Sequence, residues 1–136
     1  MSKFLRHAKH NKKVCEFLHD SNPDFGDWVI TTAYYSAIYF VSHELFPNQY
    51  EINGTVKRYE NFEDYYREFK RHNSGVELNP HKLRLQLVEE YIPEIYVHYK
   101  TLKDECWTSR YVNYIFDSRE VDTCKECLQE IESICL

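Results

Sequence analysis

The chain has 136 residues, of which 43% are hydrophobic and 16% aromatic, and its formal net charge is −5. This length suits one domain with a single core and is too short for two independent cores. The aromatic content supplies enough apolar area to offset the entropy lost on folding, which argues against disorder. The acidic balance argues against strong nonspecific binding to a polyanion.

The positive charge is concentrated at the N-terminus. Residues 1–13 contain five basic residues and no acidic one, so the rest of the chain carries a formal charge of −10. Such a segment can contact phosphate or an acidic partner, although a solvated helix face is the commoner explanation. No apolar stretch of signal-peptide length follows it, and the run from Ala33 to Val41 is too short to span a bilayer. We therefore expect no membrane association.

Cysteine usage indicates the compartment. The chain has an odd number of cysteines and no recognisable export signal, so reduced thiols are favoured over a disulfide framework. The five are Cys15, Cys106, Cys124, Cys127 and Cys135. This predicts a cytoplasmic protein.

Two helices are predicted in the N-terminal part. The first runs from about Ser2 to His19 and ends at Ser21-Asn22-Pro23. The second lies within residues 25–46 and is apolar on every side, which places it in the centre of a bundle. It carries one polar line, whose members either satisfy one another and the backbone or line a cavity. That line is Thr32, Ser36, Tyr39 and His43.

Residues 47–79 are the least regular part and are interpreted as an insertion packed over the bundle. Asn53-Gly54 and the segment 73–75 are turn signals, and residues 59–69 have aromatic side chains at helical spacing. The sequence shows no strand-like alternation there or elsewhere. A short amphipathic helix is therefore the only regular element expected in this segment.

The C-terminal part predicts three further helices. Asn79-Pro80 is a good helix start for residues 81–91, and a helix from about 94 to 110 follows Ile92-Pro93. Asp117 and Glu120 form the pattern of a capping box before a last helix with regular apolar spacing. The predicted fold is therefore all-α, an up-and-down helical bundle of four to six helices within one domain, residues 1–136.

Two short motifs are better explained by structure than by chemistry. Cys124 and Cys127 could share a metal ion, but a structural zinc site needs four ligands and no second pair lies nearby. Arg67 and His72 have a spacing found in some ribonucleases, yet five residues do not place both side chains squarely on one helix face. We predict core thiols and a coincidental spacing, with no metal site and no cofactor.

A stronger candidate site combines histidine, arginine and tyrosine. His81 and Arg84 share one helix face, where an imidazole can act as a base and a guanidinium can hold a phosphate or carboxylate. The alternative is structural, with His81 at a helix start and Arg84 paired with a carboxylate. Arg110 lies among aromatic residues, where it either packs or contributes to nucleotide binding through stacking and charge.

These pieces, in this order, resemble a group of small bacterial proteins of the HEPN superfamily. The resembling segments are DWVITTAYYSAIY at 27–39, PHKLR at 80–84, and Leu102 followed by SRY at 109–111. Together they span residues 25–116 apart from the segment 47–79. Tyr39 stands where such proteins often place a histidine, and the Arg-x4-His of the ribonuclease members is absent from the expected helix.

The resemblance implies a HEPN-like bundle, often a homodimer, associated with RNA cleavage, nucleotide binding, toxin–antitoxin pairs or phage defence. One hypothesis is therefore a nucleotide- or RNA-interacting protein, in which His81 and Arg84 are the candidate catalytic pair. Its candidate binding residues are Tyr35, Tyr39, His43 and Arg110. The other hypothesis is a noncatalytic module that docks a protein partner or a second copy through its last helix or through aromatic anchors. Those anchors are Tyr59, Phe62, Tyr65, Tyr66 and Phe69.

Overall fold

A computed structural model describes residues 2–136, which form six α-helices and one two-stranded antiparallel sheet. The elements are α1 (Lys3–Ser21), α2 (Gly26–Leu45), β1 (Asn48–Ile52), β2 (Thr55–Tyr59), α3 (Phe62–His72), α4 (Pro80–Tyr91), α5 (Tyr96–Tyr111) and α6 (Ser118–Cys135). Short 3-10 turns at Pro23–Phe25 and Pro93–Ile95 precede α2 and α5. The prediction of a mainly helical fold is confirmed.

Helix α2 is the centre of the bundle, because it packs against α1, α5 and α6. Thirteen of its residues are buried, in agreement with its apolar sequence. The Thr31 hydroxyl lies 3.2 Å from that of Ser109 on α5. At Gly26 the approach of α6 is so close that a methyl group would lie 3.0 Å from Val121 Cγ2. A larger residue at 26 would therefore push α6 away.

The polar line of α2 faces α1 rather than a cavity. Ser36 Oγ donates to the Ala8 carbonyl oxygen at 2.7 Å, and His43 Nδ1 lies 2.7 Å from Ser2 Oγ. The Tyr39 ring stacks on His7, with ring centroids 4.8 Å apart. Thr32 donates to carbonyl oxygens of its own helix. The polar line is thus satisfied by α1 and the backbone, the first of the two alternatives.

The last helix begins as predicted. Asp117 accepts from the Glu120 backbone at 2.8 Å, and the Glu120 carboxylate accepts from the Asp117 backbone at 3.4 Å, so the capping box is present. Both Cys124 and Cys127 are buried among the helices, which confirms them as core thiols. Burial raises the pKa of Cys124 to about 12, so this thiol keeps its proton at neutral pH.

The expectation that no strand forms in residues 47–79 is wrong. Strands β1 and β2 make a hairpin in which Ile52 pairs with Thr55. The two residues between them, Asn53 and Gly54, have φ angles of 53° and 83°. This is the backbone that a two-residue hairpin turn requires, and Asn-Gly is the pair that adopts it most readily. The sequence of β2 has no alternation of apolar and polar residues because this strand buries only one residue, Tyr59.

Helix α3 packs its aromatic side chains inward, as its amphipathic spacing predicts. Phe62 and Tyr65 are buried, and both rings lie near Phe46 at the end of α2. Tyr50 of β1 joins the same cluster and also meets Tyr91 of α4. The proposed aromatic anchors are therefore packed within the chain and do not form an exposed docking surface. That part of the interaction hypothesis is wrong.

One edge of α2 remains at the surface, contrary to the expectation of a helix buried on every side. Trp28 and Tyr35 are 48% and 47% exposed, and Tyr39 is partly exposed beside α1. Within residues 2–136, no helix has both the length and the apolar character needed to cross a membrane.

Candidate functional site

The first turn of α4 presents His81 at the surface. Asn79 Oδ1 accepts from the Lys82 backbone at 2.9 Å, and Pro80 occupies the first helical position, so the sequence signal for this helix start is confirmed. Leu83 and Leu87 fix the helix against the core. His81 is thereby held at the end of α4 where backbone N–H groups are free and the helix dipole is positive.

A hydrogen bond from α2 orients the imidazole. The hydroxyl oxygen of Tyr34 lies 3.0 Å from His81 Nδ1. Burial raises the pKa of Tyr34 far above its ordinary value, so the phenol keeps its proton. Partial burial, with Arg84 and Lys103 nearby, lowers the pKa of His81 below 6.5. His81 is therefore neutral at pH 7, with Nδ1 engaged and Nε2 available as either a donor or an acceptor, depending on the tautomer.

His81 lies in a cleft between α2, α4 and α5 with a volume of about 390 Å³. The cleft is lined by Tyr34, Tyr35, Asn79, His81, Lys103, Cys106, Trp107, Arg110 and Tyr111. Its lining contains two permanent cations and one titratable imidazole, and it contains no carboxylate. This is a local excess of positive charge in a chain with a net charge of −5, even though Lys103 Nζ lies 3.8 Å from the Asp104 carboxylate, which is outside the lining. The cleft is suited to an anion.

The rim of the cleft is aromatic and largely exposed. The Arg110 guanidinium carbon lies 4.9 Å from the centre of the Trp28 ring, and Trp107 and Tyr111 have ring centroids 5.9 Å apart. Each of these three rings is about half exposed or more. Exposed aromatic faces beside an arginine can stack on a planar ligand while the guanidinium holds a negative group.

Arg84 does not line the cleft. It is 8% exposed, and its guanidinium carbon lies 4.1 Å from the centre of the Phe62 ring. No carboxylate in residues 2–136 forms an ion pair with it, and the Arg84 Nε and Tyr99 hydroxyl atoms are buried without a hydrogen-bond partner. The structural alternative, in which Arg84 pairs with a carboxylate, is therefore not found in residues 2–136. Its charge lies behind His81, where it helps to lower the pKa of the imidazole.

The structure brings together some of the predicted site residues and separates others. Tyr35, His81 and Arg110 share the cleft. Tyr39 and His43 instead face α1 through His7 and Ser2. The expectation that Tyr39 and His43 belong to one binding site with His81 is wrong, because both side chains contact α1 instead.

Sequence reasoning missed part of the cleft. Lys103 and Trp107 line it from the same face of α5 as the predicted Arg110, and the spacing of four and three residues is a signal that could have identified that face. Tyr34 belongs to the helix predicted to be apolar on every side, and it is buried in the core as well as in contact with His81. Its contact with His81 depends on how α4 crosses α2.

Other depressions on the surface have a different character. The one between α1 and α6 also has a volume of about 390 Å³, but its lysines are accompanied by Glu16, Asp122 and Glu126. Mixed charge of this kind is ordinary solvated surface. In the part of the chain that the structure describes, no group of three or more His, Cys, Asp or Glu side chains is arranged to hold a metal ion.

Arg67 and His72, which have the Arg-x4-His spacing, lie on α3 and interact with acidic residues of that helix. Arg67 contacts Asp64 at 3.4 Å, and His72 Nε2 lies 3.0 Å from the Glu68 carboxylate. Each member of the Arg-x4-His spacing therefore interacts with an acidic residue of its own helix.

Comparison with protein-family models, with curated proteins and with solved structures finds no match.

Proposed function

We propose that the chain is a HEPN-like protein that binds RNA or a nucleotide in the cleft between α2, α4 and α5. The observation that carries the proposal is the lining of this cleft, where His81, Lys103 and Arg110 stand among exposed aromatic rings without a carboxylate. Cationic groups neutralise phosphate, and aromatic faces stack on bases with little regard to sequence.

The binding residues have separate tasks in this proposal. Arg110 and Lys103 contact phosphate oxygens, and Trp107, Tyr111 and Tyr35 provide faces for a base. His81 with an Nε2 proton donates to a phosphate oxygen. The cytoplasm, where RNA is available, is also consistent with five cysteines that are all free and buried.

RNA cleavage is the stronger form of the same proposal. His81 in the other tautomer, with Nδ1 donating to Tyr34, has a free Nε2 lone pair that can remove the ribose 2′-hydroxyl proton. The 2′-oxygen then forms a bond to phosphorus, the bond from phosphorus to the 5′-oxygen breaks, and that oxygen takes a proton from water. Arg110 stabilises the charge that accumulates on the phosphate oxygens.

Binding and cleavage are tested with fluorescein-labelled single-stranded RNA, by anisotropy and by gel analysis after prolonged incubation. Arg110→Ala is expected to weaken binding about tenfold, the effect of losing about 1.4 kcal/mol from a charge-assisted contact. Arg67→Ala, which removes an exposed arginine from α3, is the matched control and should bind as the parent protein does. His81→Ala should abolish any cleavage.

The absence of RNA and nucleotide binding by the folded protein would refute the proposal. Binding without cleavage would leave the chain a binding protein and remove the catalytic assignment of His81.

A second candidate function is association with another copy of the chain through the end of α5 and the loop after it. The observation that favours it is a run of exposed apolar side chains at Tyr111, Val112, Tyr114 and Ile115, each more than 60% exposed. Several large apolar side chains exposed in sequence are typical of an interaction surface. The two surfaces meet at Tyr111, which lines the cleft and begins the exposed run.

A further inference from the structure

The exposed edge of α2 connects the cleft with the N-terminal half of α1. Trp28, Tyr35 and Tyr39 are seven and four residues apart, a spacing that places them on one side of the helix. Tyr35 lines the cleft, and Arg110 covers the Trp28 ring. At the other end, Tyr39 is stacked on His7 of α1. A row of aromatic side chains therefore leads from one helix to the other.

The row ends at a basic depression on α1. It has a volume of about 380 Å³, and the described residues that line it are Lys3, Arg6, His7 and His10. Lys3, Arg6 and His10 make no ion pair and no side-chain hydrogen bond with any residue in 2–136. Lys12 of the same helix, in contrast, is paired with Glu132 of α6. Lys12 therefore links α1 to α6 by an ion pair, whereas Lys3, Arg6 and His10 have no such partner within residues 2–136.

The free cations are not explained by helix stability. The first turn of α1 contains no acidic residue, and positive charge at this end of a helix is opposed by the helix dipole. The depression also has no carboxylate in its lining, as in the cleft. Both ends of the aromatic row therefore favour an anionic ligand.

We propose that the cleft, the exposed edge of α2 and the basic depression of α1 form one continuous path for single-stranded RNA several nucleotides long. The inference rests on the proposed function and specifies its substrate class. From Trp28 to Tyr39 the row measures about 16 Å at 1.5 Å per residue, which is longer than one nucleotide needs. Bases stack on Tyr35 and Tyr39, and phosphates contact Arg110 at one end and Lys3 and Arg6 at the other.

RNA fits this path better than an acidic protein does. The two basic regions alone would attract any polyanion, but the aromatic row between them requires planar groups at repeated intervals. Every base of a single strand has such a face, and stacking on it is tolerant of sequence. Side chains of an acidic peptide would leave Tyr35 and the exposed part of Tyr39 without a matching partner.

The test compares a 12-nucleotide and a 3-nucleotide labelled RNA, measured by anisotropy over a range of salt concentrations. The parent protein should bind the longer RNA at least tenfold more tightly. The double variant Lys3→Ala/Arg6→Ala should lose most of that advantage and leave binding of the 3-nucleotide RNA unchanged. The slope of log Kd against log salt for the longer RNA should fall by about 1.4, from two phosphate contacts at about 0.7 each.

The matched control is Lys57→Ala/Arg67→Ala, which removes the same charge from β2 and α3, and circular dichroism verifies that both variants fold. If neither RNA binds the parent protein, the proposed function itself fails. If both RNAs bind with equal affinity, or if the α1 variant behaves as the control, the cleft is the whole site and the continuous path is refuted. Displacement of the longer RNA by polyglutamate as effectively as by unlabelled RNA would also refute it, in favour of an acidic protein.

Discussion

Arg84 is the one charged side chain that is buried within residues 2–136. A guanidinium cannot lose its proton at physiological pH, so burial forces its charge into the interior, where an uncompensated charge is costly. The Phe62 ring supplies part of the compensation by a cation–π contact. No carboxylate completes it within residues 2–136. Arg84 therefore contributes positive potential to the cleft at the expense of stability.

Replacement of Arg84 by methionine should separate these two effects. Methionine fills similar space and keeps a sulfur contact with Phe62, so Arg84→Met is expected to change the free energy of unfolding by less than about 1 kcal/mol, or to raise it. RNA affinity should fall at least about threefold, because the charge behind His81 is lost. Urea denaturation and anisotropy measure the two quantities. A large loss of stability would assign Arg84 a structural role instead.

His81 makes the affinity of the cleft depend on pH. Its pKa lies below 6.5 in the free protein, and a bound phosphate raises it, since an anion favours the imidazolium. Binding therefore takes up a proton, and affinity should increase as the pH falls through the pKa of the complex and level off below that of the free protein. In the parent protein, RNA affinity should change on the order of tenfold between pH 5.5 and 8. His81→Gln should remove this pH dependence, whereas His72→Gln should not.

The sign is opposite for the stability of the free protein. The unfolded chain binds a proton at His81 more readily than the folded chain does, so acidification favours unfolding. His81 therefore leaves the free energy of unfolding undiminished above pH 6.5 and lowers it as the pH falls through the pKa of the folded state. A rise in stability on acidification that is lost in His81→Gln would contradict the assigned environment.

At the scale of elements, the three sides of α2 face three different environments: the core, α1 and the solvent. Its Ala33, Ser36 and Ala37 are fully buried, its polar line meets α1, and its third edge carries Trp28 and Tyr35 at the surface. Helical periodicity predicts which residues share a face. It does not specify which neighbour covers that face, and this is why the prediction that Tyr39 and His43 share a site with His81 is wrong.

The hairpin allows a direct test of backbone conformation. Gly54 and Gly75 both have open space where a side chain would begin, but only Gly54 has a positive φ, of 83°. Gly54→Ala is therefore expected to lower the free energy of unfolding by about 1 kcal/mol, whereas Gly75→Ala should leave it unchanged or raise it by about 0.5 kcal/mol. Thermal or urea denaturation distinguishes them. Equal effects in the two variants would mean that the Asn-Gly turn is not formed in solution.

For the whole molecule, the distribution of exposed apolar groups is uneven. Val112, Tyr114 and Ile115 project from the loop between α5 and α6, next to the aromatic rim of the cleft. A surface of this kind gains free energy when it is covered, and a second copy of the chain is always available to cover it.

We expect a homodimer of twice 16.6 kDa in solution, formed through this loop. Val112→Ser/Ile115→Ser should raise the dissociation constant at least about tenfold, because about 1.4 kcal/mol or more of apolar burial is lost. The matched control, Val76→Ser/Val97→Ser, changes two exposed valines outside the loop, at 57% and 69% exposure. Light scattering over a concentration series measures the effect, and a parent protein that stays monomeric at all concentrations would exclude this association.

The sequence by itself determined the helical elements and their caps. The capping box at Asp117, the Asn79-Pro80 helix start and the apolar α2 depend on local backbone and solvent preferences, which act over a few residues. The Asn-Gly signal was also local, yet pairing of the strands that flank it depends on Tyr50 and Tyr59 finding a cluster to join. A turn signal alone does not contain that information.

Only the tertiary structure decided the composition of the cleft. His81 and Arg110 line the same cleft because α4 packs against α5, and α5 packs against α2. Tyr34 joins His81 for the same reason. Arg84 lies outside the cleft, and its guanidinium packs over the Phe62 ring of α3. Such contacts join residues tens of positions apart, and they follow from how whole helix surfaces pack, which the spacing of residues along one helix does not encode.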